Sequence, residues 1–160
     1  MKKYQRSLVW LRRDYRLVDN TTLEQASMES EEVLVCFIYD THILNKLDTN
    51  DQRISFIMQS IREVDTELGK KGSQLIVRYG TPENEIPSII ETNAINALYF
   101  NRDYEPYAQQ RDAKIQSALT IPIHTCKDSV IFEKDEIKTK SNTHYTVFTP
   151  YKNQWLEKFN

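Results

Sequence analysis

Apolar runs of about five residues alternate with longer stretches whose apolar residues recur at helical spacing, and this alternation restricts the chain to few architectures. Strands are expected over 6–11, 32–39, 74–79, 97–101 and 122–126, and helices over 21–29, 51–71, 82–91 and 105–119. The second run, Val33-Leu34-Val35-Cys36-Phe37-Ile38, is apolar without a break, as in a strand buried on both faces. The long helix carries Ile54, Ile57, Met58, Ile61, Val64 and Leu68 on one side and ends before Gly72. Asn20 is placed to cap the first helix, and Pro82 and Pro106 stand in the first turns of two others. Strand and helix in alternation imply an α/β fold, a doubly wound five-stranded parallel sheet, Rossmann-like, with helices on both faces. The expected strand order is 3-2-1-4-5.

The last part of the chain is less regular. A hairpin is expected within 131–147, turning at Lys140-Ser141-Asn142, and a helix over 149–159. All 160 residues fit one domain by size. The final helix reaches Asn160 without a C-terminal cap signal, so a longer parent is expected.

Composition removes several function classes. A net charge of -2 gives no support to a chain that holds nucleic acid by its overall charge. No run approaches the roughly 20 apolar residues of a membrane helix, and the apolar stretch after the basic start is too short for a secretory signal, so a cytoplasmic address is expected. Cys36 and Cys126 lie in apolar runs and are expected to be reduced, buried thiols. His42, His124 and His144 lack metal-ligand spacing, and no metal is expected. Gly69, Gly72 and Gly80 are the only glycines, which leaves neither a dinucleotide fingerprint nor a phosphate loop. Lys134, Lys138 and Lys140, mixed with Asp135 and Glu136, read as a solvated face.

A doubly wound sheet binds its ligands beyond the carboxyl ends of the strands, where the strand order reverses. Here that point lies between strands one and four. Arg12, Arg13, Asp14, Arg16, Asp19 and Asn20 follow the first strand, Asp40 ends the second, and Asn101, Arg102, Asp103 and Glu105 follow the fourth. These charged turns are expected to meet at one rim. Arg12, Asp14, Arg16 and Asp19 can serve equally to satisfy each other and nearby backbone groups, and Asn20 as a cap. The segment from Asn101 to Tyr107 holds more polar and aromatic groups than a turn needs, which points to ligand contact. Arg111 and Asp112 read as an ion pair or a solvated helix face.

Three segments carry a resemblance. They are Trp10-Leu11-Arg12-Arg13-Asp14-Tyr15-Arg16-Leu17-Val18-Asp19-Asn20, then Asn101-Arg102-Asp103-Tyr104-Glu105-Pro106-Tyr107 with Arg111-Asp112, and then Tyr145-Thr146-Val147-Phe148-Thr149-Pro150-Tyr151-Lys152 with Trp155. In order and separation they resemble the N-terminal α/β domain of the DNA photolyase and cryptochrome family. The resemblance implies a domain that holds a light-harvesting antenna chromophore. It implies a parent enzyme, a deoxyribodipyrimidine photolyase, whose C-terminal helical domain carries FAD and meets damaged DNA. This chain alone would then not be catalytic. Residues matched to the antenna pocket are Phe37, Ile38, Asp40, Ile43, Arg53, Asp103 and Glu105, with Asn101 and Arg102 beside them. Folate-binding members carry an asparagine-glutamate pair where this chain has Tyr107-Ala108, so 8-hydroxy-deazaflavin or FMN is favoured over methenyltetrahydrofolate. Two alternatives stay open from the residues: the same domain of a cryptochrome photoreceptor, and a stand-alone nucleotide-binding α/β module.

Overall fold

A computed structural model describes all residues from Met1 to Asn160. Five parallel strands form one sheet in the order β3-β2-β1-β4-β5. They are β1 (Tyr4–Leu11), β2 (Ser30–Asp40), β3 (Leu75–Gly80), β4 (Ala97–Asn101) and β5 (Ile123–Cys126). Between them run α1 (Thr21–Glu29), α2 (Thr41–Leu44), α3 (Gln52–Gly69), α4 (Pro82–Thr92) and α5 (Pro106–Ala118). The doubly wound sheet is thus the one expected.

The central strands are apolar on both faces because each face has its own helical cover. Val9, Leu11, Val35, Phe37, Ala97 and Tyr99 pack with Ala26 of α1 and Ile61, Val64 and Leu68 of α3. Leu8, Trp10, Cys36, Ile38, Leu98 and Phe100 pack with Ile86 and Ile89 of α4 and Ile115 of α5. Alternate residues of a strand point to opposite faces, so an unbroken apolar run supplies both cores. Fully burying one such side chain is worth about 1.5–3 kcal/mol.

The chain divides into two compact units, Met1–Asp128 and Ser129–Asn160. The first holds the whole sheet. The second holds a single 3-10 turn (Lys134–Glu136) and α6 (Phe148–Phe159). The hairpin expected there does not form strands. Asn142 does turn the chain, with φ of 62°, and Thr139 donates its N–H to the Thr143 carbonyl at 2.9 Å, but no ladder extends beyond that turn. Hydroxyl bonds among Thr139, Ser141 and Thr143 satisfy the local polar groups instead. In this unit Trp155 stacks on Phe159 with ring centroids 5.1 Å apart and meets Phe132 edge-on at 5.4 Å.

Smaller departures have local causes. α3 starts one residue late because Asp51 is its cap, accepting from the Arg53 N–H at 2.9 Å. It stops at Gly69, and Gly72 (φ 75°) completes the reversal. The four-residue α2 carries no sequence signal beyond Asp40, whose carboxylate accepts from the His42 N–H at 2.9 Å. Cys36 is fully buried, whereas Cys126 is only half-buried and bonds Gln25 Oε1 at 2.9 Å, because β5 is an edge strand.

Candidate functional site

The turn after β1 is shaped by a buried polar cluster. Asp14 turns back so that its Oδ1 accepts from the Arg12 N–H at 2.8 Å. Its Oδ2 accepts from Asn101 Nδ2 at 2.7 Å and Asn20 Nδ2 at 3.2 Å. Asn20 Oδ1 caps α1 through the Leu23 N–H at 3.2 Å and also accepts from Asn101 Nδ2 at 3.0 Å. Asn101 therefore donates to two acceptors, which fixes its amide orientation and leaves its buried Oδ1 without a hydrogen-bond partner. That orphan costs about 1–3 kcal/mol, set against the two bonds it permits.

Arg16 and Asp19 complete the turn. The Asp19 carbonyl accepts from Arg16 Nη2 at 2.7 Å, with Asp19 in the left-handed region at φ 55°. Arg16 also meets Asp128 at 2.7 Å. Asp128 accepts from the Thr21 N–H and hydroxyl, both at 3.0 Å, which adds a second cap to α1. Its carboxylate is held below the usual range: burial works against that, and the bonds from Thr21 and Arg16 outweigh it. No sequence pattern marks Asp128, because its partners lie at the other end of the unit.

Beside this cluster, four buried charges sit under the carboxyl ends of β1 and β2. Arg12 Nη1 bonds Asp112 at 2.6 Å, and Arg12 Nη2 bonds the Asn101 carbonyl. Arg111 bonds the other Asp112 oxygen at 2.9 Å and lies 3.7 Å from Asp40. Tyr107 donates its hydroxyl to Asp40 at 2.7 Å. Burial lowers the Arg12 pKa against the pull of Asp112, and burial with the Asp40 bond raises that of Tyr107. The reading of Arg111 and Asp112 as an ion pair holds, but a solvated face does not: both are under a tenth exposed, since α5 turns that side toward the sheet.

Above these charges opens a cavity of about 410 Å³. Its walls are largely apolar: Trp10, Leu11, Phe37, Ile38, Ile43, Leu44, Leu47, Ile57 and Pro82, with Tyr15, Tyr39 and Phe56. Polar groups converge from separate elements: Arg12, Arg13, Asp40, Arg53, Asp103, Glu105, Tyr107 and Arg111. At its mouth Arg13 lies 3.4 Å from Asp103 and 3.7 Å from Glu105, while Asp51 holds Arg53 through a 2.5 Å contact. The bonds from Arg53 bring the Asp51 pKa down to about 2. Burial pushes the Tyr15 hydroxyl up to about 12, so it stays protonated.

Seven of the sequence-derived positions, Phe37, Ile38, Asp40, Ile43, Arg53, Asp103 and Glu105, share this one cavity, joined by Arg12 and Arg13. Asn101 and Arg102 do not line it. Asn101 is spent on the buried cluster, and Arg102 Nη1 bonds the Thr125 carbonyl at 2.6 Å, because β4 pairs with β5 there. Asp14, Arg16, Asp19 and Asn20 also lie outside it and build the turn. Sequence reasoning placed Tyr107 only within a segment expected to contact ligand, and it missed Arg111 and Trp10 as wall residues. The four-residue spacing of Tyr107 and Arg111, one helical face pointed at a charged rim, was the available signal.

Volume, apolar walls and a few convergent polar groups suit a drug-sized ligand. No group of three or more His, Cys, Asp or Glu side chains is placed to hold a metal ion. No helix is long and apolar enough to cross a membrane.

Comparison with known proteins places the fold in a family. The family model described as DNA photolyase matches residues 7–160. A deoxyribodipyrimidine photo-lyase of Synechococcus sp. is 31% identical over 151 residues, covering 92% of this chain and 31% of that protein. The crystal structure of an archaeal photolyase from Sulfolobus tokodaii, described as having two FAD molecules and implying a novel light-harvesting cofactor, superposes with a TM-score of 0.74 at 32% identity. That match covers 94% of this chain and 34% of the archaeal one. A bacterial class III photolyase from Agrobacterium tumefaciens shares the fold, with a TM-score of 0.80 at 22% identity over 94% of this chain and 31% of its own. The chain spans about a third of the length of these relatives.

Proposed function

The chain belongs to the DNA photolyase family, and from that premise we propose that it is the antenna-binding domain of a light-dependent DNA repair enzyme. The observation that carries this reading is the apolar cavity of about 410 Å³ where the charged turns after β1, β2 and β4 converge. The occupant we assign is a flavin-class ring, 8-hydroxy-deazaflavin or FMN. Phe37 and Ile43, which line the cavity, would flank a flat ring, and Asp103 and Arg53 would meet polar groups at its edge. The two FAD molecules of the archaeal relative support a flavin as the class of occupant.

Bound there, the chromophore supplies absorption of near-ultraviolet or blue light, whose energy serves FAD in the C-terminal domain of the parent enzyme. The residues of this chain bind the ring, orient it and exclude water from it. Splitting of cyclobutane pyrimidine dimers in damaged DNA belongs to the parent, in which the dimer is flipped out of a duplex that it has already weakened. The working address is the cytoplasm.

Equilibrium dialysis tests the reading. The chain should retain FMN or 8-hydroxy-5-deazaflavin at micromolar concentration and leave ATP and methenyltetrahydrofolate free. Retention of ATP alone would make it a nucleotide-binding module instead.

A further inference from the structure

Trp10 is the only indole in the cavity wall, and it is almost fully buried. Two cations lie over its ring. The Arg111 guanidinium carbon is 4.7 Å from the indole centroid and that of Arg12 is 5.0 Å. Both guanidiniums are themselves buried; they share Asp112, and Arg111 also lies 3.7 Å from Asp40, but the cations and not the carboxylates face the ring. Packing alone does not call for this arrangement, since apolar side chains of similar volume generally fill such a place at no loss of stability. The arrangement does have a specific electrical effect. Positive charge beside the π-face stabilises the neutral ring and opposes removal of an electron from it.

That matters for a ring that absorbs light. An excited flavin is a strong oxidant, and a nearby indole is a ready donor. One electron passing from Trp10 to the excited ring would leave an indole radical cation and a one-electron-reduced ring. Its return would restore both and release the excitation as heat. Resting on the flavin-class reading above, we infer that Arg12 and Arg111 insulate Trp10 electrically, so that excitation of the bound chromophore is not lost to that indole. Both arginines act here through the indole and are positioning residues. The same cations that pair with Asp112 and Asp40 thereby close one route of quenching.

The test is the excited-state lifetime of FMN bound to the chain at saturation. Arg111→Gln, which can still bond Asp112, should shorten that lifetime at least ~3-fold, since a charge about 5 Å from the donor is removed. Adding Trp10→Phe to Arg111→Gln should restore it. Shortening that Trp10→Phe does not reverse, or no shortening, overturns the inference. A second arm does not require Arg111→Gln to fold: Trp10→Phe by itself, whatever its effect on affinity, should leave the lifetime of bound FMN within about a fifth of the parent value, because the donor is already silenced. Lengthening by several-fold there means that Trp10 quenches in the native site and also overturns it. Failure of FMN to bind removes the inference together with the reading under it, whereas binding with unchanged lifetimes across Arg111→Gln removes the inference alone.

Discussion

Arg13 Nε lies 3.4 Å from Asp103 Oδ2, joining the turn after β1 to the turn after β4 across the mouth of the cavity. Arg13 is 69% exposed and Asp103 13%, so the cation faces solvent and the carboxylate is largely covered. Exposed pairs of this kind add little stability. Arg13→Ala should leave the melting temperature nearly unchanged while weakening FMN binding about 3- to 10-fold. Calorimetric melting beside a fluorescence titration checks both halves.

Arg12 is a different case, because its ion pair with Asp112 is buried. Arg12→Met strips one partner from Asp112 and the donor from the Asn101 carbonyl. Asp112 keeps Arg111, so losing one cation and one donor should cost about 1–3 kcal/mol. Urea denaturation with an unchanged slope would report that loss as a shift in midpoint.

Asn20 joins the helix cap to the site turn. Asn20→Ala removes the acceptor for the Leu23 N–H and for Asn101 Nδ2. The expected cost is about 1–2 kcal/mol. Asn20→Asp keeps the acceptor but sets a second carboxylate beside Asp14, and should recover only part of the loss.

How the sheet was legible while parts of the site were not follows from range. Val33 to Ile38 must be covered on both faces wherever it sits, so β2 could be read from its own residues. Asn20 and Pro106 mark helix starts through bonds, or a missing donor, within one turn of themselves. Asp128 acts only through partners far along the chain, and nothing local distinguishes it from a surface charge; Arg111 pairs with its neighbour Asp112 but reaches Asp40 and Trp10 across the fold, and its spacing from Tyr107 is the one local hint of that. The expected hairpin over 131–147 failed for the converse reason. Its polar turn was real, but the flanking residues bond within the turn and lack the alternation that pairs strands.

Acid should destabilise the sheet in a defined window. His124 on β5 bonds the Tyr4 hydroxyl at 2.9 Å and stacks on Tyr99 at 4.6 Å, with Lys3 on the β1 side and Glu29 on α1. Burial first, and Lys3 second, lower its pKa from 6.5, against the pull of Glu29. A lowered pKa means that the unfolded chain binds the proton more readily. The contribution is complete above pH 6.5 and is lost as pH falls through the lower folded value. Glu29 and Asp128, both lowered from their usual values, add a second loss at more acid pH. Melts from pH 7.5 to 5 should show a decline that His124→Gln flattens.

On the proposed function, a flat pigment sits between Phe37 and Ile43, which both line the cavity. The direct measurement is a crystal structure of the chain with FMN, paired with a titration of Ile43→Trp, which fills the cavity from an exposed rim position. Ring density is expected between Phe37 and Ile43, with Asp103 at its polar edge, and affinity at least ~10-fold weaker in Ile43→Trp. Density for the ring elsewhere on the molecule, or undiminished affinity in Ile43→Trp, would contradict it.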